Sequence, residues 1–175
     1  RLCRDWSSDV CSSDLTTNPN FAALFVRYFT ELGLRQGGVI AIGATASYPG
    51  LIVSALAAAR ELGLEPILVH SLGSSQYGAK IPALTFVDML EHLNESGLLP
   101  YRMAAVTLEI DGEAGAVGLL NRVRLRSARS SRAKAPALLP TSCRESIRRC
   151  REVYEQGAAG RPIRCLVNLG AGRAF

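Results

Sequence analysis

Two short apolar runs, Val39-Ile40-Ala41-Ile42 and Pro66-Ile67-Leu68-Val69-His70, show no alternation of apolar with polar residues, and a segment of helical period from about Leu51 to Leu62 separates them. A strand that is apolar on both faces must be covered on both, which is the environment of a parallel sheet. The intervening helix is the crossover that parallel strands need. The order repeats. Thr85 with Asp88 three residues on is a capping box for a helix to about Ser96, and Met103 to Leu108 reads as a third strand. Ser142 with Glu145 caps a helix to about Gln156, and Ile163 to Val167 is a last strand. The predicted fold class is α/β: three layers, a mostly parallel Rossmann-like sheet of at least four strands, and helices on both faces.

Upstream of these units, Asn18 suits an N-cap and Pro19 a first helical position. Phe21, Leu24, Phe25, Tyr28, Phe29 and Leu32 then recur at helical spacing up to Gly33, the pattern of a helix lying with its aromatic stripe on a sheet. With 48% hydrophobic residues in 175, the chain can bury one core, and residues 16–175 are read as one partial α/β domain. Residues 1–15 hold a near-repeat, Ser7-Ser8-Asp9-Val10 and Ser12-Ser13-Asp14-Leu15, that resembles translated sequencing-adapter DNA and is read as outside the fold. The start at Arg1 implies a missing N-terminus, with any targeting element upstream.

The longest apolar run, Leu51 to Ala59, is interrupted by Ser54 and closed by Arg60 and Glu61, far short of the roughly 20 residues that span a bilayer. Five cysteines, Cys3, Cys11, Cys143, Cys150 and Cys165, lack zinc-site spacing and form no even framework, so neither metal nor disulfides are expected. No cofactor is implied. The net charge of +5 is concentrated late in the chain, densest from Arg122 to Lys134, where six basic residues meet no acid. Such a tract can attract polyanions, but a solvated, poorly ordered loop within about 109–140 is the expected reading, and no specific nucleic-acid partner is inferred.

Parallel strands deliver their following loops to one edge of the sheet, where α/β proteins bind ligands. Three loops rich in small residues converge there. The first offers Thr45, Ser47 and Tyr48 before a helix N-terminus that favours a carboxylate or phosphate. The second offers Ser71, Ser74, Ser75 and Tyr77, and the last Asn168 beside glycines. Neither a dinucleotide fingerprint nor a Walker loop is present, because Gly43 to Gly50 lacks the glycine order of the one and the lysine of the other. A catalytic alternative takes Ser47 as nucleophile, His70 as base and Asp88 as orienter, although Thr45 and Pro49 stand where a nucleophile elbow has glycines. His92 lies between Glu91 and Leu93 in mid-helix and reads as surface.

The stretches Thr17-Asn18-Pro19-Asn20-Phe21-Ala22-Ala23, Ser47-Tyr48-Pro49-Gly50-Leu51, Ser71-Leu72-Gly73-Ser74-Ser75-Gln76-Tyr77-Gly78-Ala79 and Thr85-Phe86-Val87-Asp88-Met89 resemble the poly-γ-glutamate system protein family, as do Glu145-Ser146-Ile147 and Val167-Asn168-Leu169-Gly170. The resemblance implies an accessory component of poly-γ-glutamate biosynthesis or export, with a membrane-associated, cell-envelope parent. The partners it implies are other components of that system, and an anionic glutamyl or phosphate ligand fits the loops. Where the family shows a glycine-rich segment with aspartate, this chain runs from Glu109 into the arginine tract, a departure that a local frameshift between about Leu108 and Thr141 accounts for. The alternative function is a serine-dependent hydrolase or transferase acting on an amide or glycosidic bond.

Overall fold

The computed structural model describes residues 16–72, 80–81, 84–107, 135–138 and 142–170. The predicted disorder of the first 15 residues and of Arg122 to Lys134 therefore falls outside the described residues. The described chain runs α1 (Asn20–Glu31), β1 (Val39–Thr45), α2 (Pro49–Glu61), β2 (Glu65–Ser71), β3 (Lys80–Ile81), β4 (Leu84–Thr85), α3 (Phe86–Glu95), β5 (Met103–Thr107), β6 (Ala137–Leu138), α4 (Cys143–Ala158) and β7 (Ile163–Leu169).

Five strands form one sheet in the order β6-β5-β2-β1-β7, every pair parallel, while β3 and β4 make a separate antiparallel pair. Every residue of β1 is buried, as two covered faces require. Alternate residues divide the core into two. Ile40, Ile42, Ala44 and Leu68 pack with Phe29, Ile52, Leu56, Phe86 and Leu90, so α1, α2 and α3 share one side. Val39, Ala41, Ile67, Val69 and Ala105 pack with Cys150, Tyr154 and Ala158 of α4 on the other. This is the three-layer α/β architecture with helices on both faces. Each fully buried Ile, Leu or Phe contributes about 1.5–3 kcal/mol of apolar burial, so both layers hold the sheet.

Four details depart from the sequence reading. The α1 stripe does not all face inward: α1 lies against α2, and Phe25, Val26 and Phe29 join the core, whereas Tyr28 and Leu32 are 49% and 63% exposed. A helix packed on another helix hides a narrower stripe than one laid on a sheet. The first helical residue is Asn20, and Asn18 supports it by accepting the Asn20 amide proton at 3.0 Å. Within the stretch of about 109–140, read as poorly ordered, the described residues 135–138 include β6, which pairs with the end of β5, and the Pro136 carbonyl just before it accepts from Val106 N–H at 3.0 Å. Thr45 and Asn168, expected in loops, are strand residues, because the ladder continues past the apolar runs.

The capping box of α3 is formed. Thr85 Oγ1 accepts from Asp88 N–H at 3.4 Å, and Asp88 Oδ2 accepts from Thr85 N–H at 2.7 Å and from its hydroxyl at 2.8 Å. Thr85 is buried. Thr85→Ala should therefore lower stability by about 1–2 kcal/mol in urea denaturation, as loss of an N-cap does. A change below about 0.3 kcal/mol would show that α3 is held by packing of Phe86 and Leu90 alone.

No helix among the described residues is long and apolar enough to cross a membrane.

Candidate functional site

The chain proceeds from β1 to β2, β5 and β6 in one direction across the sheet, then returns through α4 to place β7 on the far side of β1. Strand order thus reverses between β1 and β7. In open α/β sheets, ligands bind at the carboxyl ends of the strands at such a point. A reversed crossover of the same hand needs the opposite face, which is where α4 lies.

Three strands end level at this edge. Thr45, the last residue of β1, pairs with Ser71, the last of β2, and Ser71 pairs with Thr107, the last of β5. Directly paired residues point to the same side of a sheet, and alternation from Ala41, Val69 and Ala105 puts all three hydroxyls on the α4 side. All three are buried. Neither Thr45 Oγ1 nor Thr107 Oγ1 has a hydrogen-bond partner among the described residues. Leaving a buried hydroxyl unsatisfied costs about 1–3 kcal/mol, which makes these atoms candidates for bonding to something else.

Gly170, just beyond β7, closes against Thr45. Its φ is +149°, and a Cβ built there would stand 2.7 Å from Thr45 Cγ2 and 3.0 Å from Thr45 Cβ. Asn168 pairs with Gly43, on the same side as Thr45 but two residues below the edge, and it is exposed. Ser47 is buried and Tyr48 half-buried in the turn into α2. Ser74, Ser75 and Tyr77 lie outside the described residues.

The helix N-terminus at α2 offers less than the sequence suggested. Pro49 has no N–H, and the amides of Leu51 and Ile52 both donate to Tyr48 O, at 3.1 and 3.3 Å. A Cβ on Gly50 would meet Thr16 O at 2.6 Å, so the segment leading to α1 crosses the first turn of α2.

The catalytic alternative is not assembled either. His70 is fully buried on the side of α1 to α3, with its ring centroid 5.1 Å from that of Phe86. Neither imidazole nitrogen has a hydrogen-bond partner, so neither a Ser47–His70 nor a His70–Asp88 hydrogen bond exists. Burial alone pushes the His70 pKa down to about 3. Asp88 instead serves the α3 cap. His92 is exposed, as read from the sequence.

Two polar residues at the edge escaped the sequence reading. Thr107 lies inside the run Met103 to Leu108, which reads as apolar strand, and only the observed strand ends show that β1, β2 and β5 each finish in a hydroxyl residue. Ser146 is 1% exposed in the first turns of α4. Its spacing of four from Cys150 and eight from Tyr154 marks the buried face of that helix. Among the described residues, no group of three or more His, Cys, Asp or Glu is placed to hold a metal ion. Cys150 and Cys165 are free thiols whose pKa burial pushes up, which disfavours the nucleophilic thiolate. Comparison of the chain with family models, with curated proteins and with solved structures finds no match.

Proposed function

We propose that this protein binds an anionic ligand, a glutamyl carboxylate or a phosphate, at the carboxyl edge between β1 and β7, as an accessory component of poly-γ-glutamate biosynthesis or export. The observation that carries the reading is Thr45: it stands where strand order reverses, its hydroxyl is buried without a partner, and a glycine backbone closes on it. A hydroxyl held in this way gains when an acceptor oxygen arrives, more so when that oxygen is charged. Ser47, Tyr48 and Ser71 come from the same edge, Asn168 lies two residues below it, and Ser74, Ser75 and Tyr77 are further candidates from the loop after β2.

The resemblance to the poly-γ-glutamate system family supplies the pathway. In that reading the parent protein is associated with the cell envelope, and its partners are other synthesis or export components. The serine hydrolase reading has no hydrogen-bonded relay to support it.

Titration calorimetry on the full chain with oligo-γ-glutamate, and separately with ATP, tests the proposal. Oligoglutamate should bind, and Thr45→Val, which keeps the shape and removes the hydroxyl, should weaken binding by about 1–3 kcal/mol. Binding of ATP alone would retain the anion site and remove the polymer from the reading. If neither binds, the edge is only a set of tight turns.

A further inference from the structure

The two edges of the sheet differ in kind. One is β6, two residues long, and the other is β7, Ile163–Leu169, with whose outer side no strand pairs among the described residues. An edge strand turns half of its N–H and C=O groups away from its neighbour, and proteins usually blunt such an edge with lysine, proline, a bulge or a cover. In β7 these devices stop early. The irregularity in its ladder with β1 falls at Val39/Ile40, beside Arg164, the one charged residue of the strand. From Cys165 to Leu169 the strand is regular, uncharged and free of proline.

Nor does α4 cover it. Ile163 and Leu166 pair with Val39 and Ala41, which face α4, but α4 packs on β2 and β5. Leu166 is left 57% exposed and Ile163 36%. On the opposite face, Cys165 and Val167 are partly buried against the core of α1 to α3, and Leu169 belongs to that core. Apolar side chains thus flank an unpaired backbone on both faces of the sheet.

The regular stretch is complementary to itself. Two copies related by a two-fold axis normal to the sheet through Val167 pair antiparallel, with Val167 opposite Val167, Cys165 opposite Leu169 and Leu166 opposite Asn168. Apolar then meets apolar on the side of α1 to α3. On the α4 side the two Leu166 side chains become diagonal neighbours, which long side chains can bridge. Charge does not oppose the pairing, because Arg164 of each copy falls opposite Gly170 of the other and the two arginines lie about 20 Å apart along the strands.

We propose that β7 is a self-association edge, through which two copies of this chain join their five-stranded sheets into one continuous sheet. A two-fold contact of this kind is closed, and the short β6 offers little backbone for further growth, so association stops at the dimer. Since the paired strands are antiparallel, the two carboxyl edges lie at opposite ends of the joined strands.

Sedimentation velocity of the full chain over a range of concentrations, under reducing conditions, tests this together with hydrogen exchange of the β7 amides at a low and a high concentration. The chain should pass from monomer to dimer, and amides within Cys165–Leu169 should exchange more slowly at the high concentration. Leu166→Lys replaces an exposed side chain and sets two like charges near the centre of the ladder. It should weaken the dimer by at least about tenfold and leave the circular dichroism spectrum unchanged. A chain that stays monomeric throughout overturns the proposal, and β7 amides equally protected at both concentrations would then show that a segment of the same chain covers the edge. A dimer that forms without slowing exchange in β7, a dimer equally strong in Leu166→Lys, or open-ended aggregates in place of a dimer also overturn it. Should Leu166→Lys fail to fold, the concentration dependence of exchange in the unsubstituted chain decides.

Discussion

Lowering the pH from 7 to 4 should destabilise this protein by several kcal/mol beyond what its His70→Leu variant loses. In the native state His70 is fully buried, and desolvation pushes its pKa from 6.5 down to about 3. In the unfolded chain the imidazole titrates near its ordinary value. Between these two values the unfolded state binds a proton that the folded state refuses, so stability falls as pH falls, beginning near 6.5 and continuing toward 3. The slope is about 1.4 kcal/mol per pH unit, and the whole effect approaches about 5 kcal/mol, comparable to the total stability of many domains. Because the nitrogens make no hydrogen bond, a leucine in their place forfeits no partner, and the variant should match or exceed the parent at pH 7. Glu65, whose pKa is lowered by its hydrogen bond to Arg161, also loses its interaction in acid, but that pair is exposed and is common to both proteins. Urea denaturation of both at pH 7, 6, 5 and 4 measures the difference. Parallel stability curves would mean that the His70 ring is solvated, as would an NMR titration of the native imidazole with a midpoint near 6.5.

The face that His70 occupies is not set by its local sequence. His70 ends an apolar run, and a histidine at a strand end next to a serine-bearing loop is compatible with a base. Which face it occupies depends on register and on what covers that face, neither of which is local. The parallel pairing of Ala44 with His70 puts the ring among the core residues of α1 to α3, against Phe86. Asp88 could be read as cap or as orienter from the same letters. The cap wins because its partner is three residues away and needs no tertiary structure to form.

Elements set by local chemistry were legible. β1 and β2 follow from runs of β-branched and apolar residues, α3 and α4 from Thr85 and Ser142 at their caps, and the parallel class from the alternation. Strand order was not, since the return of β7 to the far side of β1 is a choice among long-range pairings that leaves no periodic trace. β6 is two residues long at a sheet edge and carries no pattern to detect. The site divided along the same line. That Thr45 and Ser71 reach the carboxyl edge followed from topology, whereas their level row with Thr107 needed the register.

Replacing Gly170 by alanine should destabilise the fold by about 2–5 kcal/mol and, with it, weaken the proposed anion binding. Two separate effects add. The φ of +149° is a conformation that a Cβ strains against wherever it occurs, and the added methyl would also press on Thr45 Cγ2 and Cβ at 2.7 and 3.0 Å. Thr45 cannot retreat freely, because it is 2% exposed and paired with Ser71 on the β2 side. A double-mutant cycle separates the parts: Thr45→Ala removes Oγ1 and Cγ2, so Gly170→Ala should be about 1–3 kcal/mol less harmful in that background. The backbone strain should persist in both. A coupling near zero with a large single-mutant loss would assign the whole effect to φ, and a loss below about 0.5 kcal/mol for Gly170→Ala would show that the chain beyond β7 does not close on Thr45. The second result would count against the proposed anion site as well, since that proposal places Gly170 against Thr45.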